Sequence, residues 1–160
     1  MCALALLAAA CTTSKSSNVP ATPPEGFESS CAGALNEWAD IRKAPDKIED
    51  FLCIDAPQPA SAIASGATLS IWAAYRYAPD VILQLQVADP AGHSATQDYP
   101  RHYDDPGDDQ SFWLIHIEGA PIPIPPGAAP GTALHIGVNL IDMETGQALG
   151  DSEVTVSLAR

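Results

Sequence analysis

The residues best suited to chemistry are Asp104, Asp105, Asp108 and Asp109, four carboxylates within six positions, bent around Pro106 and Gly107. Such a run can converge on Ca2+, which takes roughly six to eight oxygen ligands. It lacks the alternating Asp-x-Asp-x-Asp-Gly spacing that aims carboxylates inward, so a solvated acidic loop competes with the Ca2+ reading. Ca2+ is the sole cofactor the sequence brings into view. His116 and His135 fall in successive strand patterns, where either can approach Glu118 or Asn139 across a sheet. Paired imidazoles bind metal or exchange protons, and two histidines on one sheet surface are the plainer alternative. Trp38, Trp72 and Trp113 can grip a ligand or fill a core. Neither a Gly-x-Ser-x-Gly nucleophile turn nor a glycine-rich phosphate loop occurs.

The elements that must position these groups read mainly as strands. From Ala67 the apolar period is two: Leu69, Ile71, Ala73, Tyr75 and Tyr77 share one face. After Ala78-Pro79-Asp80 the alternation resumes with Val81, Leu83, Leu85 and Val87, which predicts a half-buried β-hairpin. Asp89-Pro90-Ala91-Gly92 reads as a turn. Ala95 to Tyr103 predicts a weak edge strand interrupted by Pro100. Ser111 to Glu118 is apolar on both faces, as in a central or covered strand. Pro121 to Pro126 cannot pair regularly and suits an extended crossing between sheets. Thr132, Leu134, Ile136, Val138 and Leu140 alternate again, Asp142 to Gly146 turns, and Val154 to Leu158 closes the chain as a strand.

Upstream the pattern is helical. Ser29 and Ser30 can cap a helix from about Cys31 to Lys43, with Leu35, Trp38 and Ile41 on one stripe and Pro45 as its stop. Asp46 to Cys53 predicts a second turn or short helix carrying Ile48, Phe51 and Leu52. The pair reads as a lid packed on a sheet or as a lobe for a partner.

Charge narrows the function. Twenty acidic residues against seven basic ones give a net charge of −13. That surface repels phosphate backbones and argues against nucleic acid, and equally against electrostatic docking on anionic lipid. It suits a basic partner, a cation or plain solubility.

Residues 1–10 hold an apolar run, Ala3 to Ala10, of signal-peptide size and far short of the roughly 18 residues that span a bilayer. Leu7-Ala8-Ala9-Ala10-Cys11 resembles the lipobox of bacterial lipoproteins, and residues 11–30 resemble their Ser/Thr/Pro-rich tether. The resemblance implies cleavage before Cys11, lipid on its sulfur and acylation of the new amine. Two or three acyl chains would hold the protein at the cell envelope, since each buried CH2 contributes about 0.8 kcal/mol. Thr12, where an inner-membrane retention signal would carry Asp, points through the same resemblance to the outer membrane, facing the periplasm. In such an exported, oxidising setting Cys31 and Cys53 form an even pair and a disulfide is expected. Two buried thiols or a metal pair are the alternatives, although the spacing fits no zinc pattern.

The order Pro-Pro-Gly, alternating strand, Asp-x-x-Thr-Gly turn and short Val-x-Val strand resembles the C-terminal hairpin of immunoglobulin-like and fibronectin-like modules. It implies an immunoglobulin-like β-sandwich of six or seven strands over residues 59–160, preceded by a short helical segment with the disulfide at residues 31–58. The fold implies no activity. The reading that results is a non-catalytic envelope lipoprotein whose sandwich binds or braces another envelope protein. An immunity or inhibitor lipoprotein, masking a basic toxin or hydrolase through its acidic surface, is the alternative, and an enzyme of unrecognised type is a third.

Overall fold

A computed structural model describes residues 31, 33, 51–76, 78–103 and 112–160. The leader with Cys11, the tether, all of the helix expected over residues 31–43 except residues 31 and 33, and the acidic loop with Asp104, Asp105, Asp108 and Asp109 lie outside the described residues.

Among the described residues eight strands follow one another: β1 (Phe51–Ala56), β2 (Ala62–Ile63), β3 (Thr68–Arg76), β4 (Asp80–Ala88), β5 (Ser94–His102), β6 (Phe112–Pro121), β7 (Ala133–Asp142) and β8 (Ala148–Leu158). They form two sheets, ordered β1-β3-β6 and β2-β8-β7-β4-β5, an immunoglobulin-like sandwich. All pairings are antiparallel except β2 with β8.

Period-two apolar patterning builds the core. Val81, Leu83, Leu85 and Val87 on β4 and Leu134, Ile136, Val138 and Leu140 on β7 are almost wholly buried. They face Leu69, Ile71, Ala73 and Tyr75 of β3 across the sandwich. Each such aliphatic side chain contributes about 1.5–3 kcal/mol by leaving water.

Two expectations need correction. The strands Thr68–Arg76 and Asp80–Ala88 exist, but they do not form a hairpin: β3 pairs with β1 and β6, and β4 pairs with β5 and β7. Ala78-Pro79 instead carries the chain from one sheet to the other, with Ala78 buried at the corner. Alternation toward a common core looks the same whether two strands pair side by side or face each other. Next, Phe51 to Cys53, the end of the turn or short helix expected over Asp46 to Cys53, are strand residues of β1. Leu52 and Ile54 point into the core at a spacing of two and pair with Ala73 and Ile71 of β3. Of the two readings of β6, central or covered, its place at the end of its sheet among the described residues leaves the covered one.

Elsewhere the patterns hold. Among the described residues β5 is an edge strand, and it keeps nine consecutive pairings with β4 despite Pro100. The backbone bonds Tyr103 N to Pro79 O and Asp89 N to His93 O place the odd-numbered residues of β5 in the bonded pairs with β4. Pro100 is even-numbered, so its missing N–H falls on the open edge, where it costs no ladder bond. The proline-rich segment after β6 crosses to the other sheet, and Ile122 and Pro125 along it are buried.

Candidate functional site

The outer face of the three-stranded sheet is the more elaborate of the two outer faces. Register puts Cys53 of β1, Trp72 of β3 and His116 of β6 in one row. Cys53 is disulfide-bonded to Cys31, with Cα atoms 5.8 Å apart, as expected from the sequence. Trp72 is 3% exposed and Cys31 wholly buried, so this outward row is covered although it points away from the core. The His116 ring lies flat on Trp72, with centroids 4.1 Å apart and planes 3° from parallel. One row on, register pairs Ser70 with Glu118. His116 Nε2 is 2.8 Å from Ser70 Oγ and 3.6 Å from Glu118 Oε1.

Serine, histidine and carboxylate together invite comparison with a nucleophile relay. A relay needs the acid on the ring nitrogen that does not face the serine, so that it fixes the tautomer and supports the imidazolium. Here both partners meet the same nitrogen, Nε2, and Glu118 is largely exposed. The arrangement holds the imidazole in place rather than activating Ser70.

The remaining histidines also stand beside carboxylates. In the β4–β5 turn, His93 Nδ1 is 2.8 Å from Asp89 Oδ2, and the His93 backbone N–H donates to Asp89 Oδ1 at 2.9 Å. Asp89 is the one buried charged residue among those described. The hydrogen bond from His93 holds its carboxyl below the ordinary carboxylate value, against the upward push of burial. The His93 ring also covers Gly127, whose φ is +94°; a Cβ there would come within 3.3 Å of Nε2. His102 Nδ1 is 2.7 Å from Asp80 Oδ1, and His135 Nε2 is 3.2 Å from Glu153 Oε2.

The structure therefore does not bring His116 and His135 together: β6 and β7 belong to opposite sheets. His116 does reach Glu118, while His135 meets Glu153 instead of Asn139. Among the described residues, no three His, Cys, Asp or Glu side chains converge as metal ligands. Of the three tryptophans, Trp72 is buried on the covered outer face and not in the core between the sheets, while Trp38 and the Trp113 side chain lie outside what is described.

The outer face of the five-stranded sheet contrasts in character. Rows run Gln84–Asn139–Asp151 and Gln86–Gly137–Glu153 across β4, β7 and β8. Of these, Gln86, Gly137, Asn139, Asp151 and Glu153 line, with His135, an open groove of about 340 Å3. Sequence reasoning missed this groove. Its signal was the outward set of positions on two alternating strands, which can be aligned only once register is known. The Asp89–His93 pair was missed for a simpler reason, since Asp89 sits in a stretch read only as a turn and His93 falls just beyond it.

No protein family and no curated protein matches the chain. Among solved structures, the chain is similar to part of a β-glucuronidase of Bacteroides uniformis, at 18% identity and a TM-score of 0.31. A calcium-binding mutant of β-glucuronidase 2 from that organism gives 17% and 0.32. In each case 69% of this chain is covered, and it spans 13% of the other.

Proposed function

We propose that the protein is a non-catalytic lipoprotein of the bacterial cell envelope whose sandwich binds or braces another envelope protein. The observation that carries this reading is the Cys31–Cys53 disulfide, because such bonds persist in oxidising, exported compartments. Cys31 follows directly on the Ser/Thr/Pro-rich stretch after Cys11, so the bond would fix the sandwich at the end of a tether. The placement of both polar partners on one nitrogen of His116 supports a non-catalytic role for that cluster.

Mass spectrometry of the protein isolated from a lipoprotein-processing bacterium tests the reading. The expected species begins at Cys11 and carries diacylglycerol and an amide-linked acyl chain. Cys11→Ser is expected to leave the protein unlipidated. An intact, unmodified leader in the wild-type protein would overturn the proposal.

The acidic surface favours a second reading, an immunity or inhibitor lipoprotein that neutralises a basic effector. A net charge of −13 accelerates encounter with an oppositely charged protein. Recovery of a toxic, basic protein by capture from the envelope would favour it over the bracing role.

A further inference from the structure

Gly137 is a glycine without an internal reason. It lies in the middle of β7, in unbroken register with Gln86 on one side and Glu153 on the other. Its φ is outside the left-handed region, and a Cβ built on it would find its nearest neighbour, the Gln86 carbonyl oxygen, at 3.8 Å. Gly150 on β8 is different: there a Cβ would lie 3.1 Å from the Leu52 Cβ, so the close approach of β1 accounts for it. A strand-interior glycine weakens the strand and often marks a place where a ligand or another backbone comes close. Gly137 has no bulge, no bend and no crowded neighbour, which leaves an outside group.

The surroundings define that group. Gln86 and Glu153 flank the notch, and Asn139 and Asp151 form the next row. Strand alternation and register place Asp98, Asp151 and Glu153 on this outer face, with no lysine or arginine at any outward position of β4, β5, β7 or β8. Carboxylate and amide oxygens beside a flat floor suit a planar guanidinium, which presents several donors in a fixed fork and can lie against backbone.

We propose that the groove centred on Gly137 receives an arginine side chain of the protein partner. The proposal rests on the partner-binding reading above and gives that partner its chemistry.

The test uses 15N-labelled full-length protein titrated with tri-arginine amide, with tri-lysine amide and tri-glutamate as comparison probes. Tri-arginine amide is expected to shift the backbone amides of Gln86, Gly137, Asn139, Asp151 and Glu153. Gly137→Val is expected to abolish those shifts while raising Tm by about 2–4 °C, since a β-branched residue suits a strand. Glu153→Gln is expected to weaken binding about threefold, the size of a partly exposed charge contact. Glu144→Gln, in the β7–β8 turn, is expected to leave it unchanged. Retention of the shifts in folded Gly137→Val, equal binding of tri-lysine amide, or shifts spread over every acidic segment would each overturn the inference. Should Gly137→Val fail to fold, an unchanged affinity in Glu153→Gln would overturn it instead. A photo-crosslinker at Gln86 in the native envelope separates the two proposals. Crosslinks without tri-arginine binding sustain the partner reading and sink the arginine site. Tri-arginine binding without any crosslink does the reverse.

Discussion

The two outer faces of the sandwich are made by the same alternation and put to opposite uses. On the three-stranded sheet the outward row is Cys53, Trp72 and His116, and Trp72 and Ala74 are as buried as core residues. On the five-stranded sheet the outward rows are amides, carboxylates and Gly137, open to water. One face has become a second, smaller core closed by a covalent bond; the other is left available. An outward position in a strand thus becomes structural when something covers it, and strand spacing alone does not reveal which face is covered.

The largest effect expected from this contrast is at Trp72. Trp72→Ala should cost about 3–5 kcal/mol in denaturant unfolding, as for a large buried aromatic in a true core. A loss below about 1 kcal/mol would mean that the face is only superficially covered.

Next comes the disulfide. Its cysteines are 22 residues apart in sequence, for which loop-closure entropy gives about 3 kcal/mol. Reduction, or Cys53→Ser, should lower stability by about that amount. Alkylation provides a direct check: native protein should resist labelling at Cys31 and Cys53 until reduced.

Asp89 sharpens the comparison at the sandwich's end. Its carboxyl titrates below the ordinary value chiefly because His93 donates to it. A lowered folded-state value contributes stability that is fully present above the unfolded carboxylate range and is lost as pH falls through the folded value. Acid unfolding followed by circular dichroism should therefore show wild type losing its advantage over Asp89→Asn below about pH 4. A constant gap between the two proteins at all pH values would contradict the role given to this pair. Asp142, held down mainly by the Thr145 hydroxyl, contributes in the same direction.

The smallest effect belongs to the polar face. Thr96→Ser, outward on β5, should change stability by less than about 0.5 kcal/mol. A larger loss, read by thermal unfolding, would show that this face too is engaged within the molecule.

Much of the architecture is legible in the sequence, because period-two burial is a local property. Leu134 to Leu140, the Asp142 to Gly146 turn and the proline-rich crossing can all be read directly. Which sheet a strand joins is not local: β3 and β4 both alternate toward one core, so their pattern is silent on whether they pair. β1 was obscured because Ile48, Phe51 and Leu52 also fit a helical spacing, and β2, two residues long, carries no period at all. The candidate sites were least legible. Ser70 meets His116 from 46 positions away, and Gln86, Gly137 and Glu153 meet only through the register of three strands.

The bond between Cys31 and Cys53 also decides how the domain would carry a mechanical load. A pull on the N-terminal end would enter the folded body at Cys53, inside β1, and the chain between the two cysteines would be shielded from extension. Tension would then be shared across the ladder to β3 and by shear along the parallel β2–β8 pair. The fold would meet tugging with several hydrogen bonds loaded together, instead of peeling from a frayed end.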